Sequence, residues 1–487
     1  MPDNSPPSQR VRPAELLRDT IHLSMRSLLP FWPLAAISHR PVLTLAALFL
    51  ALNLSGCASP TVSANNAVTT ESNPASPMQQ TWWTAFNDPL LSELVHKALQ
   101  TNTSIRSAQA ALQQARAARD VKAASNGPNL VLSGSAQRSQ AESRDASNSF
   151  QAGLDARWEI DIFGGNRAAL AAYEADTLAT EASLRDVQVS IAAEVALAYI
   201  QLRGTQAQLI ITQNNLASQQ ETLQITQWRA QAGLVTALEV EQAQSAVAQT
   251  AAQLPTLQTN LAATRHSLAI LIGQRPLELD SLLSTLGEIP QSRAGYGEHI
   301  ATNTLRQRAD VRAAEHRISA ALARLNAADA ARYPSFNLGG SVGLSALTLA
   351  SLVNGATLAG SLLASVSVPL LDGGAAKSQV LAQEGALEQA RAGYQTTVLA
   401  ALKEVEDALI AIQNNAQRLQ LLQTAVNSAS NAAQLANNRY ASGLIDFQTV
   451  LQTQRTLLSA QDSVVSLQAT RSADQVRLVK ALGGGWQ

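Results

Sequence analysis

The chain carries little charge and almost no excess of either sign. Of its 487 residues, 36 are Asp or Glu and 35 are Lys or Arg, which gives a formal net charge of −1. Surfaces that bind nucleic acid are built from clustered Lys and Arg, and the sequence has no basic run of that kind. We therefore expect no nucleic-acid partner.

The residues that build metal and catalytic sites are also scarce. The six histidines are scattered without an HxxxH pair, and Cys57 is the only cysteine. A metal centre needs several ligands at close spacing, and a catalytic site needs converging acid, base or nucleophilic groups. The sequence therefore predicts no metal, no cofactor, no internal disulfide and no enzymatic activity.

Aromatic residues make up 4% of the chain, although hydrophobic residues make up 46%. Much of the apolar content is alanine interleaved with Gln, Asn, Ser and Thr, so apolar positions recur in stripes and not in solid blocks. Stripes of this kind are typical of packed helices.

An apolar run near the N-terminus ends at the single cysteine. Residues 42–54 form an uncharged stretch of about 13 residues, which is too short to span a bilayer but fits the core of a signal peptide. The run closes on Leu54, Ser55, Gly56 and Cys57, which resemble the lipobox of a bacterial lipoprotein. A buried free cysteine after a short core helix is the alternative.

We therefore predict that residues 1–56 are a signal peptide, with Met25 as a possible true start. Cys57 would then carry diacylglycerol and a fatty acyl group. Ala58 follows it, which resembles the sorting signal for the outer membrane. Residues 57–80 are rich in Ser, Thr, Asn and Pro, so we interpret them as a linker from the lipid to the folded part.

The rest of the chain contains one pattern twice. Gly233 and Gly443 lie 210 positions apart, and each is followed by leucine and a β-branched residue. Pro128 and Pro334, which precede similar apolar alternations, lie 206 positions apart. Each copy predicts a helix, two strands, a long helix, a glycine turn and a second long helix.

The duplication also predicts the domain boundaries. The first structural repeat covers residues 81–285, a linker covers residues 286–300, and the second repeat covers residues 301–487. Chance similarity between Ala- and Gln-rich helices is the alternative, but the matches run through strands, turns and helices alike.

Four segments alternate apolar and polar residues with the period of a β-strand. They are residues 129–137, 150–162, 336–344 and 358–370. Such alternation also suits a soluble, half-buried sheet. Export as a lipoprotein favours a membrane sheet, which must close because an open edge leaves backbone groups unpaired in hydrocarbon. Single-chain barrels start at about eight strands, so three copies would have to supply about twelve.

The helices are long. Residues 166–232 contain no proline and only Gly204 as a breaker, which predicts a helix of about 67 residues and roughly 100 Å. The returning segment keeps heptad spacing from Thr236 to Leu271, as a coiled-coil seam does. Pro255 predicts a bend in it. A solid helical bundle is the alternative.

Several short motifs occur in a characteristic order. They are WW at 82–83, WEIDIFGGNR at 158–167, ADVRAAE at 309–315, PLLDGG at 369–374 and RYASG at 439–443. Together they resemble the outer-membrane efflux channel family, the TolC-like proteins, and specifically its lipidated, NodT-type branch. The resemblance covers nearly the whole mature chain.

The resemblance implies an α+β membrane protein, lipid-anchored in the cell outer membrane and extending into the periplasm. Three copies would form a 12-stranded β-barrel, with four strands per chain, joined to a long α-helical coiled-coil barrel. This homotrimer would be the passive exit duct of a tripartite pump for drugs or other small molecules. Its expected partners are a periplasmic adaptor, an inner-membrane RND or ABC transporter, and outer-membrane lipid. A duct for type I protein secretion and a lipidated coiled-coil tether are the alternatives.

The resemblance places the turns at Gly233 and Gly443 at the periplasmic tip. Asp446 lies three residues past the second turn, where the first repeat has Thr236. Three copies of Asp446 would form a ring of carboxylates that could gate the channel together with Arg439. Asp446 could equally be the N-cap of the returning helix. The sequence leaves both roles open.

Overall fold

The computed structural model of the chain describes residues 81–140, 145–292 and 302–484. The predicted signal peptide, the lipobox (Leu54, Ser55, Gly56, Cys57) and the linker at 57–80 lie outside the described residues. So does most of the linker predicted between the repeats. These predictions therefore stay untested by the fold.

The first half begins with a short 3₁₀ helix at Trp82–Phe86. Asp88 then caps helix α1, accepting a hydrogen bond from the backbone N–H of Leu91 at 3.0 Å. The elements that follow are α1 (Pro89–Thr101), α2 (Thr103–Ala124), β1 (Asn129–Ser139), β2 (Ser147–Ile160), α3 (Gly165–Gln231), α4 (Ala237–Ala251), α5 (Gln253–Leu271) and the single turn α6 (Asp280–Leu283).

The second half repeats the order of the main elements, with one helix before the sheet instead of two and a short helix between its two strands. After a 3₁₀ helix at Thr302–Gln307 come α7 (Ala309–Ala330), β3 (Ser335–Ala346), the short α8 (Leu349–Val353), β4 (Thr357–Ser367), α9 (Ala375–Ala441) and α10 (Phe447–Ala481). The long helices α3 and α9 both have 67 residues, the length predicted from residues 166–232. At 1.5 Å per residue, each extends roughly 100 Å.

The four strands form one antiparallel sheet in the order β1-β2-β3-β4. Leu154 of β2 lies opposite Leu132 of β1 on one side and Val342 of β3 on the other. Leu344 of β3 lies opposite Leu358 of β4. The register therefore places most apolar residues of the four strands on the same face, as the alternation predicts, while Val131 and Leu363 lie on the other.

Two strands end earlier than predicted. The segment expected to reach Leu370 ends as a strand at Ser367, two residues before Pro369. Proline has no N–H to continue a ladder, so pairing stops before it. The segment expected to reach Ile162 ends at Ile160.

The returning helix of the first half is interrupted where a bend is predicted. Helix α4 ends at Ala251 and α5 begins at Gln253, four residues or fewer before Pro255. Pro255 cannot donate to the carbonyl of Ala251, and its ring crowds that carbonyl. The equivalent helix α10 has no proline and runs unbroken through 35 residues.

The main hydrophobic core lies among α1, the middle of α3 and the end of α5. Leu94, Tyr199 and Leu268 are completely or almost completely buried there. The predicted heptad seam is confirmed from Val240 to Leu271, where all its positions are buried or half-buried, but its first position, Thr236, is exposed. A second cluster surrounds Tyr440 and Phe447, close to the glycine turns. The sheet itself contributes no buried residue to either core.

Candidate functional site

The sheet has one strongly apolar, exposed face. The side chains of Leu132 and Leu362 are 77% and 81% exposed within the chain, and Val342 on β3 is 56% exposed. A continuous apolar face of this extent requires an apolar neighbour, since exposing it to water is unfavourable. Among the described residues, nothing in the chain covers it.

Aromatic side chains lie where the sheet meets the helices. Phe163 stacks on Tyr333 with ring centroids 4.9 Å apart. The indole Nε1 of Trp158 donates to the backbone carbonyl of Asn126 at 3.0 Å. Rings with an apolar body and a polar edge favour the boundary between hydrocarbon and water. This level of the sheet is therefore suited to a membrane interface.

The opposite face of the sheet is polar. Ser133 Oγ donates to Asp155 Oδ2 at 2.9 Å, and the hydroxyls of Ser341 and Ser361 lie 2.8 Å apart. The two faces therefore suit two different surroundings. Within the described parts of the chain, no helix combines the length and the hydropathy needed to cross a bilayer.

The two glycine turns have the same backbone geometry. Gly233 and Gly443 adopt φ angles of 71° and 75°, in the left-handed region that suits glycine. The N–H of Leu234 donates to the carbonyl of Arg229 at 2.8 Å, and that of Leu444 donates to the carbonyl of Arg439 at 2.9 Å. Both long helices thus end in a Schellman-type cap and reverse within a few residues.

Asp446 caps the helix that leaves the second turn. Its Oδ1 accepts hydrogen bonds from the backbone N–H of Thr449 at 2.9 Å and from the hydroxyl of Thr449 at 2.6 Å. These hydrogen bonds hold the pKa of the fully exposed Asp446 carboxyl below its ordinary value. Thr236, at the matching position of the first repeat, makes no side-chain cap. The capping role of Asp446 is therefore present in the structure, whereas its gating role stays a prediction.

A contact between the two tips uses Arg229, which matches Arg439 in the repeat, while the gating role predicted for Arg439 stays a prediction. Arg229 Nη1 donates to the carbonyl of Tyr440 at 2.6 Å, and its guanidinium lies 4.5 Å from the centre of the Tyr440 ring. The Tyr440 hydroxyl donates to Glu239 Oε2 at 3.2 Å. Burial of Tyr440, with Glu239 close by, raises the pKa of its hydroxyl. Among the described residues, no ion pair includes Arg439.

A difference between the repeats in the sequence indicates this contact. Arg229 and Arg439 match across the repeats, but Tyr440 matches Ala230. The first repeat therefore has no ring at the position that matches Tyr440, and Arg229 of that repeat lies over the tyrosine of the other. The contact joins the helix pair α3–α4 to the helix pair α9–α10 of the same chain.

A buried polar contact repeats at the C-terminal ends of the returning helices. Asn102 Nδ2 donates to the carbonyl of Leu271 at 2.8 Å, while its Oδ1 caps α2. In the second half, Arg308 Nη1 donates to the carbonyl of Ala481 at 2.6 Å. Arg308 also pairs with Asp310 at 2.8 Å and with Glu404 at 2.9 Å. The sequence patterns predict neither contact.

The pKa values of two carboxyls reflect this cluster. Burial opposes ionisation of Asp310, but its hydrogen bonds and ion pair with Arg308 outweigh that effect and lower its pKa. Burial raises the pKa of Asp186, and the negative charge of Asp310 adds to that rise. The groups around Asp186 that oppose the rise are Arg308 and Lys480.

Nothing in the described ranges resembles a metal centre: no three His, Cys, Asp or Glu side chains lie close enough together to hold an ion. The polar groups described above lie in helix caps, in joints between helices and on one face of the sheet. They stabilise the joints between helices, the contact between the two glycine turns and the polar face of the sheet.

The chain is similar to proteins of known role along most of its length. A family model described as outer membrane efflux protein matches residues 94–274 and 300–484, one match in each half. The pyoverdine export outer membrane protein OpmQ of Pseudomonas putida is 33% identical over 422 residues, covering 84% of this chain and 88% of that protein. The toluene efflux pump outer membrane protein TtgI of Pseudomonas putida is 30% identical over 474 residues, covering 90% and 97%.

A solved structure shares the fold. The outer-membrane channel OprN matches with a TM-score of 0.79 and 34% identity, covering 84% of this chain and 93% of that chain. The mostly helical chain with its four-stranded sheet thus has the fold that the sequence motifs imply.

Proposed function

The chain belongs to the outer membrane efflux protein family, and from that membership we propose that three copies form a passive exit duct for small molecules. It is an outer-membrane component of an efflux pump, and the family consists of channels and not of enzymes.

The observation that carries the proposal is the sheet, apolar on one face and polar on the other, with two free edges. Four strands cannot close into a barrel by themselves. Strands β1 and β4 are the edges of the described sheet, and in hydrocarbon their free backbone groups would be costly. Three copies joined edge to edge would form a barrel of about twelve strands with lipid outside and water inside.

The helices would continue the duct into the periplasm. Helices α3 and α9 follow β2 and β4 in the sequence. Each is long enough to extend roughly 100 Å. Their turns at Gly233 and Gly443 would face a periplasmic adaptor. The adaptor would join the duct to an inner-membrane RND or ABC transporter, which supplies the energy. No chemical step by the duct is required.

Small molecules are the proposed cargo because relatives named for pyoverdine export and for toluene efflux are similar along most of the chain. A protein-secretion duct and a structural tether are the competing roles. A tether would not conduct ions, and a secretion duct would pass a secreted polypeptide in cells.

The first test compares two adjacent residues on opposite faces of β2. Leu154 faces the apolar side and Asp155 the polar side, so we would purify the full chain and its Leu154→Arg and Asp155→Arg variants from membranes. An arginine on the lipid face costs about 2–4 kcal/mol near mid-membrane. Leu154→Arg should reduce membrane insertion strongly. Asp155→Arg should insert normally and shift ion selectivity towards anions.

Light scattering in detergent and conductance in planar bilayers provide the readouts. Wild-type protein should be a trimer and should form pores. A monomeric protein that inserts stably, or a trimer without conductance, would contradict the proposal. Equal insertion of both arginine variants would show that the apolar face does not contact lipid.

The lipid anchor is a separate proposal that rests on the lipobox. We propose that Cys57 carries diacylglycerol and a fatty acyl chain and is the first residue of the mature protein. Mass spectrometry of the purified N-terminus measures this directly, and Cys57→Ala should leave the precursor uncleaved by the lipoprotein peptidase. An unmodified cysteine in mature protein would contradict it. Loss of the anchor should leave the pore intact, because the barrel itself would keep the trimer in the membrane.

A further inference from the structure

The edge strands of the sheet offer a surface for a second copy of this chain. Strand β1 pairs only with β2, and β4 pairs only with β3, so each has one backbone edge without a strand partner among the described residues. An unpaired edge favours addition of another strand. The register of that addition can be derived from the internal repeat.

The two β-hairpins of the chain, β1–β2 and β3–β4, correspond to each other in register as well as in sequence. Strand β1 corresponds to β3 at an offset of 206 positions, as Pro128 does to Pro334. Leu130 lies opposite Ala156 in the first hairpin, and Phe336 lies opposite Val366 in the second. The second strands therefore correspond at an offset of 210 positions, which is also the offset between the long helices.

One junction between the two hairpins is already present in the chain. Strand β2 of the first hairpin pairs with β3 of the second, and Ile160 lies opposite Phe336. If the repeats surround a common axis, β4 meets β1 of the next copy as β2 meets β3. Applying the two offsets moves this pair to Leu370 and to Leu130 of the neighbouring copy.

We infer that β4 of one copy pairs with β1 of the next in the register that places Ser367 opposite Ser133 and Ser361 opposite Ser139. This inference rests on the proposed three-copy channel and specifies its contact. The seven positions from Ser361 to Ser367 all lie within β4, and their partners all lie within β1. Pro369 follows the last of these pairs, where the ladder can end without losing a hydrogen bond.

The side chains support this register independently of the repeat. It forms three serine–serine pairs across the junction, namely Ser133–Ser367, Ser135–Ser365 and Ser139–Ser361. A slip of two residues in either direction leaves one such pair. The described sheet uses the same contact, since Ser139 and Ser147 hydroxyls lie 3.1 Å apart in paired strands. Paired hydroxyls on neighbouring strands stabilise a sheet.

The register also keeps the two faces of the sheet continuous. Even-numbered residues carry the apolar face in all four strands, and the inferred pairs join even to even, as in Ala136 with Ala364. A slip by one residue would bring the polar face of one copy beside the apolar face of the next. Only slips by two residues therefore compete, and these lose the serine pairs.

Disulfide trapping in the full-length chain tests the register. We would combine Ser135→Cys with Ser365→Cys, and separately Ala136→Cys with Ala364→Cys. One of these two neighbouring pairs must be a non-hydrogen-bonded pair, whose Cα atoms lie about 4.5 Å apart, within the range of a disulfide. Within one chain the two cysteines are separated by strands β2 and β3, so any disulfide joins two copies.

The matched controls move one cysteine by two residues along the same face. Ser133→Cys or Gln137→Cys combined with Ser365→Cys places the two cysteines diagonally, with Cα atoms about 7–8 Å apart and out of disulfide range. The inferred pairs should oxidise at least roughly tenfold faster than the diagonal pairs and should yield covalent trimers on denaturing gels. Each single-cysteine variant reports any contribution from Cys57.

Light scattering on the same reduced samples separates the two ways this can fail. A trimer in which a diagonal pair oxidises fastest, or in which no pair oxidises, overturns the register and leaves the channel proposal standing. Absence of a trimer overturns both.

Discussion

The two repeats make the same contact at the ends of their returning helices but differ at their tips. Asn102 and Arg308 occupy matching positions, and both donate to the last carbonyls of the returning helix, those of Leu271 and Ala481. At the tips, the glycine turns are alike, yet only Asp446 forms a side-chain cap. The backbone demand, an unpaired helix-end carbonyl, is identical in both halves, so different side chains meet it.

The difference at the tips shows where the repeats have separate roles. Arg229 of the first repeat lies over Tyr440 of the second, whereas the first repeat has alanine at the matching position 230. The helix pairs α3–α4 and α9–α10 of one chain are therefore joined by an asymmetric contact between Arg229 and Tyr440, which we call the tip latch. Four experiments test how the two repeats differ.

The largest expected effect is on the helix-end joint of the second half. Arg308→Ala removes three partners and leaves Asp310, only 27% exposed, without its ion pair, so we expect a loss of about 3 kcal/mol in stability. Asn102→Ala removes a cap and one hydrogen bond, so about 1–2 kcal/mol is expected. Urea unfolding followed by circular dichroism measures both. Arg306→Ala, an exposed arginine two positions away, is the control, and equal losses in all three variants would refute the comparison.

The tip latch should control conductance more than stability. Arg229→Ala removes the hydrogen bond to the Tyr440 carbonyl and the contact with its ring, so the tips should separate more easily. We expect pores that open more often or conduct more in planar bilayers, with the trimer retained. Arg439→Ala changes the matching arginine of the other repeat and should leave conductance near wild type. If both variants behave alike, the latch is not specific to Arg229.

A smaller effect concerns pH. Because the pKa of Asp186 is raised in the folded state, ionising it at neutral pH reduces stability, and that cost disappears as pH falls through the folded pKa. Asp186→Asn should therefore raise the melting temperature at pH 7, and the gain should shrink towards pH 4. Asp310→Asn should lower the melting temperature at pH 7. The lowered pKa of Asp310 shows that the folded state stabilises its ionised form. A gain from Asp186→Asn that is constant with pH would contradict this account.

The smallest effect is expected at Asp446. Asparagine is also a good N-cap, so Asp446→Asn should preserve the hydrogen bond from Thr449 while removing the charge. If capping is the main role, conductance and ion selectivity should stay unchanged in single-channel recordings. A loss of cation selectivity would instead support the carboxylate ring at the tip.

Much of the architecture follows from patterns that lie along the chain. The alternation in residues 150–162 predicts β2 and its two faces, and the absence of proline between positions 166 and 232 predicts the 67-residue helix α3. The break near Pro255 follows from one missing N–H. The repeat and the ordered motifs predict the family. These properties depend on residues close in sequence or on periodicity, which a single sequence displays directly.

The contacts between distant residues were decided by the tertiary structure. Arg229 and Tyr440 are 211 positions apart, and Arg308 and Ala481 are 173 apart. Arg229 and Arg439 look equivalent in the repeat, yet only Arg229 contacts a tyrosine, because the packing of the two hairpins brings Tyr440 beside it. Patterns along the sequence predict the strands and their faces, the long helices and the glycine turns, but not the break between α1 and α2 or the short α8. Which buried donor meets which acceptor depended on how those elements pack, since no periodicity records a distance across the fold.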